Sequence, residues 1–255
     1  MSYLTPLKSD LKLGIILSLL EGRKKLSELG KDTQTRETTI LHVLKELEQL
    51  ELTTKSDGIY QLTPLGILEA HVCRWCCKSF DVLKNYKEFW LSHDVSAIPP
   101  SLMSKIGALD GAVLVKTGEV DLQKVHESFI SIVTASKFIM GVSPIFHPDY
   151  ISVFEGIINK NCRVDLIVTS KVLEKIKTYP NHELLEKFLA EDKLGLYVND
   201  SARCALTVTD QYVSLGLFNL SGTYDSSIDL ICSEEEALEW GKQLFKQTLD
   251  KSTKL

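Results

Sequence analysis

The sequence predicts a two-domain chain, a small α+β head followed by a larger α/β domain. Three observations predict it. At 255 residues the chain exceeds one domain of ordinary size. Its first quarter carries three short helical patterns and then a single hairpin. Beyond residue 100, strand-like runs alternate with helical ones, the signature of a layered sheet. Hydrophobic residues at 44% and charged residues at 25% fit a globular core and exclude a disordered or fibrous chain. The longest apolar stretch, Leu13 to Leu20, is too short to cross a bilayer, and no small-residue cleavage site follows it. A soluble, cytoplasmic protein is expected. Six cysteines are too few for a disulfide scaffold, so reduced thiols are expected.

Ser9 or Asp10 is placed to cap a first helix, whose Leu13, Ile16, Leu17 and Leu20 follow helical spacing, and Gly22 offers a stop. A second short helix fits Lys25 to Leu29. Gly30 to Thr33 then reads as a turn, and Thr33 or Thr35 as the cap of a third helix. That helix buries Ile40, Val43, Leu44, Leu47 and Leu50, three or four apart. Asp57-Gly58 between two alternating runs is a strong hairpin signal. From Pro64 one long helix is expected to run toward Trp90. Ser92 to Pro100 breaks the helical pattern and marks a boundary. The domains read as 1–70, a connecting and dimerising helix over 71–100, and 101–255.

In the second domain, strands are expected at Ala112–Val115, Phe138–Val142, Val164–Val168, Leu194–Val198, Ala205–Val208, Tyr212–Phe218 and Ile228–Ile231. Helices fit Leu122–Ala135, Asp149–Asn159, Val172–Lys177, His182–Ala190 and Glu234–Leu249. Ala205–Val208 and Tyr212–Phe218 are close enough to form one antiparallel pair.

Helix, helix-turn-helix and hairpin, in that order, is the plan of a winged helix-turn-helix, whose third helix enters the major groove. Off the apolar stripe of that helix lie Thr35, Arg36, Thr38, Thr39, His42 and Lys45, with Lys55 and Tyr60 flanking the hairpin tip. Hydroxyls and an Arg near a helix start suit base edges and phosphates, and a Lys at the tip suits phosphate. The net charge of −5 excludes a basic coat over the whole molecule. Locally, Arg23, Lys24, Lys25, Lys31, Arg36 and Lys45 outnumber Glu28, Asp32 and Glu37. Double-stranded DNA is therefore the expected partner of the head, bound by a homodimer on two half-sites. The alternative for the head is protein contact through a solvated polar face.

Gly58-Ile-Tyr-Gln-Leu-Thr-Pro-Leu-Gly66 resembles the wing-to-helix passage of ArsR-like winged helices. Further on stand Trp90-Leu-Ser-His-Asp94 with Ile98-Pro99, Val208-Thr-Asp210, Ser214-Leu-Gly-Leu-Phe218, Gly222-Thr-Tyr-Asp225 and Ala237-Leu-Glu-Trp-Gly-Lys-Gln-Leu-Phe245. In combination these resemble methanogen transcriptional regulators that join an ArsR-like head to a methanogenesis-regulator middle domain. The resemblance implies an archaeal source and control of methane-related genes. It also implies a second domain similar to phospholipase-D-like sensor domains.

Such a domain is expected to bind a small-molecule effector. Ser143 and His147 follow a strand, where ligands of α/β sheets gather. Asp210 and Gly216 sit at a strand turn and within a strand, Tyr224 in a turn and Trp240 on the last helix; each has a structural role as its alternative. No cofactor, metal or catalysis is expected. His-x-Lys, required for phospholipase-D chemistry, is absent, as are the nucleotide-binding and nucleophile-elbow motifs. One rival reading is a thiol or metal sensor using Cys73, Cys76 and Cys77, which share a helix face; another is a second domain that only dimerises or recruits a protein.

Overall fold

A computed structural model of the chain describes residues 9–117, 124–147, 153, 155–158, 162–178 and 187–255. It divides into two compact units, Met1–Lys78 and Ser79–Leu255.

The first unit runs α1 (Asp10–Leu20), β1 (Lys24–Lys25), α2 (Leu26–Asp32), α3 (Glu37–Gln49), β2 (Thr53–Ser56), β3 (Ile59–Leu62) and the start of α4 (Pro64–Asn85). Ser9 caps α1 by accepting from the Lys12 amide. Ile15, Ile16, Leu19, Leu29, Ile40, Leu44, Leu47 and Leu52 form one core. The two-residue β1 pairs with β3, making a three-stranded sheet in the order β1-β3-β2. Gly30 to Asp32, read from the sequence as a turn, lies inside α2. The turn begins at Thr33 and includes Gln34 at a φ of 51°.

In the second unit the chain breaks helix at Tyr86, which leaves helical backbone at a φ of -113° and whose hydroxyl donates to the Ala112 carbonyl; Trp90 belongs to a separate helix, Lys87–Ser92, rather than to α4. Residues 87–109, expected partly as connector, are built into this unit. Phe89, Ile98, Leu102 and Leu109 are all buried. An eight-stranded sheet follows, from β4 (Val113–Lys116), β5 (Phe138–Ser143), β6 (Arg163–Val168), β7 (Leu194–Val198), β8 (Cys204–Val208), β9 (Val213–Leu217), β10 (Ile228–Cys232) and β11 (Thr253–Lys254). Its order is β11-β7-β6-β5-β8-β9-β10-β4. Strands β5, β6 and β7 are parallel, with helix Ser170–Thr178 crossing from β6 to β7; the remaining pairs are antiparallel. Val133, Ile139, Val164, Leu166, Val172 and Leu194 share a core beneath the parallel half.

The last helix, Glu235–Leu249, packs on β5, β8 and β9. It comes so close that a Cβ at Gly241 would lie 2.7 Å from the Val213 side chain. Since side chains alternate along a strand, Val213 and Leu215 face this helix while Ser214 and Gly216 face away. Of the expected helices, residues 122–123, 149–152, 154, 159 and 182–186 lie outside the described residues.

Candidate functional site

The exposed side of α3 gathers the polar residues of the head. Ile40, Val43, Leu44 and Leu47 are turned into the core, which leaves Thr38, Thr39, His42 and Lys45 exposed on the opposite side. Neither threonine expected as the cap performs it: Thr33 donates to the Leu29 carbonyl at 2.7 Å and Thr35 to the Thr33 carbonyl at 3.0 Å. Arg36 occupies the cap position instead, in extended backbone with its side chain exposed. Thr35 is half-buried beside it.

Two acidic residues nearby are already engaged. Glu46 accepts from Lys12 at 2.5 Å and meets His42 at 3.2 Å, and the Lys12 hydrogen bond and charge hold its carboxyl below the usual range. Asp32 is paired with Lys24 and accepts from Ser18, which removes Lys24 from the free cations of the turn.

At the hairpin tip Asp57 and Gly58 take φ of 51° and 79°, the two left-handed residues of a type I′ turn. Lys55 is exposed beside it. Tyr60, expected as a contact at the tip, is buried at 3% exposure. Burial alternates along β3, so Tyr60 and Leu62 point inward, and the Tyr60 ring lies 5.1 Å beneath the Lys55 ammonium.

The passage into α4 explains its own sequence. Thr63 accepts from the Gly66 amide at 3.0 Å and donates to the Glu51 carbonyl at 2.6 Å, and Pro64 opens the helix where no amide partner is needed. Gly66 faces the Leu52 backbone so closely that a Cβ would lie 2.0 Å from its carbonyl oxygen.

In the second unit, two of the residues singled out from sequence meet at one place, and they meet a third that was not. A Cβ on Gly216 would lie 2.5 Å from the Tyr224 hydroxyl and 2.6 Å from Oδ1 of Asp229. Ser214, two residues before Gly216 on β9, donates to the other Asp229 oxygen at 3.0 Å. Burial pushes the Asp229 carboxyl up to about 6; the Ser214 hydrogen bond opposes this and the nearby Asp225 charge adds to it. Asp229 carried a signal that sequence reasoning passed over, a carboxylate within the apolar strand Ile228–Cys232.

The other expected pocket residues lie elsewhere. Ser143 ends β5, with β8 between it and β9, and donates to the Ile145 carbonyl at 2.7 Å. His147 follows it, half-buried. Asp210 accepts from the Lys137 amide at 2.9 Å, pinning the entry to β5; Thr209, not Asp210, receives the amides of Gln211 and Tyr212. Trp240 is a core residue, 2% exposed, with its indole donating to the Leu102 carbonyl at 3.0 Å. Of the three clustered thiols Cys73 is buried, and burial pushes it up to about 11, far from a ready thiolate. Among the described residues, no three His, Cys, Asp or Glu side chains are grouped to hold a metal ion, and no helix is long and apolar enough to cross a membrane.

Residues 5–76 match the family described as the N-terminal domain of methanogenesis regulatory protein FilR1, and residues 122–251 match its middle domain. Methanogenesis regulatory protein FilR1 of Methanothrix harundinacea (strain 6Ac) is 30% identical over 254 residues, covering 97% of this chain and 56% of that protein. The chain thus spans about half the length of this curated relative. Among solved structures, TrmBL2, an archaeal chromatin protein, aligns with 99% of this chain and 98% of its own at 14% identity and a TM-score of 0.46. NucT from Helicobacter pylori aligns with 56% of this chain and 98% of its own, at 14% identity and a TM-score of 0.40. Neither likeness is close enough to bear on function. The two family domains follow one another in order along the sequence, and the chain belongs to the family of the methanogenesis regulatory protein FilR1.

Proposed function

We propose that this chain is a sequence-specific, DNA-binding transcriptional regulator whose head is a winged helix-turn-helix. The observation that carries the reading is the exposed row on α3, with Thr38, Thr39, His42 and Lys45 on one side of a helix whose other side is core, and with Arg36 exposed at its N-terminal cap. A hairpin with a two-residue turn, and Lys55 exposed beside that turn, stands in the same unit. In this reading α3 lies in the major groove, Arg36 and His42 address base edges, and Lys55 contacts phosphate. Tyr60 supports the wing from inside, beneath Lys55, and makes no contact with DNA in this reading. A selection of binding sites from genomic DNA by the purified protein tests this directly. Enrichment of one shared motif is expected, and enrichment indifferent to sequence would overturn specificity.

The chain works in this reading as a homodimer on paired half-sites. Support comes from α4, where Leu65, Leu68 and Val72 stand 52%, 67% and 60% exposed on a helix at three- and four-residue spacing. So large an apolar row on a protein surface marks an interaction face. The second unit is a sensor for a small-molecule effector, and methane-related genes are its expected targets, in keeping with the family. The effector site we favour is the cluster of Ser214, Gly216, Tyr224 and Asp229. A buried carboxyl between hydroxyls, on the sheet face turned away from the last helix, is costly to keep in a purely structural core. Its natural occupant is a small ligand that donates hydrogen bonds or carries an ammonium group. Use of Cys73 as a metal or redox sensor finds no support in a thiol so deeply protonated.

A further inference from the structure

Residues 218–225 form a loop between β9 and β10 that is stitched to the segment following α4. The Asp94 amide donates to the Phe218 carbonyl at 2.8 Å and the Leu220 amide to the Ser92 carbonyl at 3.3 Å, with an antiparallel bridge between His93 and Asn219. At the loop's far end Tyr224 bridges back to Phe218, their rings 5.7 Å apart, and Asp225 meets His93 with Oδ2 3.4 Å from Nε2. Burial works against the Asp225 carboxylate, but the Ser227 hydroxyl and amide, with His93, hold it below the usual range.

We propose that this loop is a strap that transmits the state of the Asp229 site to the last turns of α4, through Tyr224 and Asp225 to His93, Phe89, Trp90 and Val82. The proposal rests on the sensor reading above and adds the route by which a sensed state leaves the Asp229 site.

Each link is a contact with little slack. Tyr224 is pressed against Gly216, so whatever reaches Asp229 from that side has to move the phenol. Tyr224 and Asp225 are neighbours in the chain, and Asp225 holds a histidine that is itself buried. His93 is not free to shift alone, because Nδ1 lies 2.7 Å from the Phe89 carbonyl and the ring stacks 4.6 Å from Phe89. Phe89 meets the edge of Trp90 at 4.9 Å, and the Trp90 indole donates to the Val82 carbonyl within α4 at 3.2 Å. Coupling between distant sites travels through such contiguous packing when one element has two positions, and the proposal assigns that role to the strap.

The proton is a probe that needs no knowledge of the effector. Facing Asp229 are Ser214 and Gly216 from β9, Val115 from β4, and Tyr224 and Asp225 from the strap, with His93 behind Asp225. In the full chain carrying Trp75→Phe, Trp90 and Trp240 report by fluorescence, and a further Trp90→Phe change identifies the signal of Trp90. Between pH 8 and 5 the Trp90 emission is expected to shift with a midpoint near 6, and Asp229→Asn is expected to abolish the shift. Asp225→Asn and His93→Gln should abolish it while the Asp229-dependent change in stability with pH persists. Gly216→Ala, which pushes Tyr224 aside, should alter Trp90 emission at constant pH. A shift that survives Asp229→Asn, or both strap variants, overturns the proposal. Should the strap variants fail to fold, amide exchange over residues 87–94 in the unaltered chain decides it: protection that differs between pH 8 and 5 supports the strap, and unchanged protection overturns it. DNA affinity measured alongside separates the two readings. A Trp90 response with pH-independent DNA affinity upholds the strap and overturns the sensor reading.

Discussion

Replacing Asp229 by Asn should change how stability depends on pH more than it changes stability itself. The carboxyl ordinarily titrates near 3.8 and in the fold near 6, because burial disfavours its charged form. Between those values the folded chain keeps a proton that the unfolded chain has lost. Stability contributed by this group is therefore greatest below about pH 4, falls as pH rises toward about 6, and is level above that. Roughly two pKa units at 1.36 kcal/mol each make the ionised carboxylate cost about 3 kcal/mol at neutral pH. Asn keeps the shape and a hydrogen-bonding end but cannot ionise, so the variant should lack this term altogether. Urea unfolding, read on Trp90 and Trp240 with Trp75 changed to Phe, follows the unit that holds Asp229. The stability difference between the two proteins should move by about 2–3 kcal/mol between pH 4 and 7, in favour of Asn at the higher pH. A difference that stays flat across this range would show that Asp229 is ionised as easily in the fold as in water, and the buried-carboxyl argument would fail.

Four further outcomes are expected. Gly66→Ala should destabilise the head by at least about 1–3 kcal/mol in thermal unfolding, because the new methyl meets the Leu52 backbone rather than a movable side chain. Arg36→Ala should cost about 1–3 kcal/mol of affinity for a selected duplex while leaving random duplex nearly unaffected; an equal loss on both would remove Arg36 from base readout. Lys55→Ala should weaken binding to all sequences alike and lower the slope of log affinity against log salt by about one, as titrations at several salt concentrations would show. Leu68→Glu should shift the protein toward monomer in sedimentation, and a species of unchanged mass would remove α4 as the dimer face.

Much of the fold was legible because apolar spacing is set by burial, and burial dominates folding energetics. The third helix of the head and strands β7 to β10 follow their apolar runs within a residue or two. Strands β1 and β11 were not legible: each is two residues long and polar, and pairing with β3 or β7 alone makes it a strand. The break at Tyr86 was hidden for a similar reason. Nothing in the local sequence marks it, and the Tyr86 hydroxyl there reaches a carbonyl 26 positions away, at Ala112. Tyr60 and Trp240 show the limit for site residues. An aromatic with a polar tip reads equally as a contact or as core, and only its neighbours decide.

The Asp229 site shows what the motif residues do in the fold. Gly216 and Tyr224 stand out in sequence because a glycine inside a strand and a tyrosine in a turn are unusual choices. What makes them necessary is each other: the phenol occupies the space that any side chain at 216 would need. The same close approach covers a carboxyl that burial holds near its titration point, with hydroxyls in place of a cation beside it. A merely structural role would be served as well by a hydrophobic residue at 229, since replacing buried polar groups by well-packed apolar ones is often neutral or stabilising. Keeping the acid there, beneath a ring that has to move to expose it and beside a strap bound to His93, makes sense when the cost is recovered on binding. In the proposed sensor reading, a ligand that brings a positive charge or a hydrogen-bond donor to this carboxyl supplies the differential affinity by which a regulator shifts its populations.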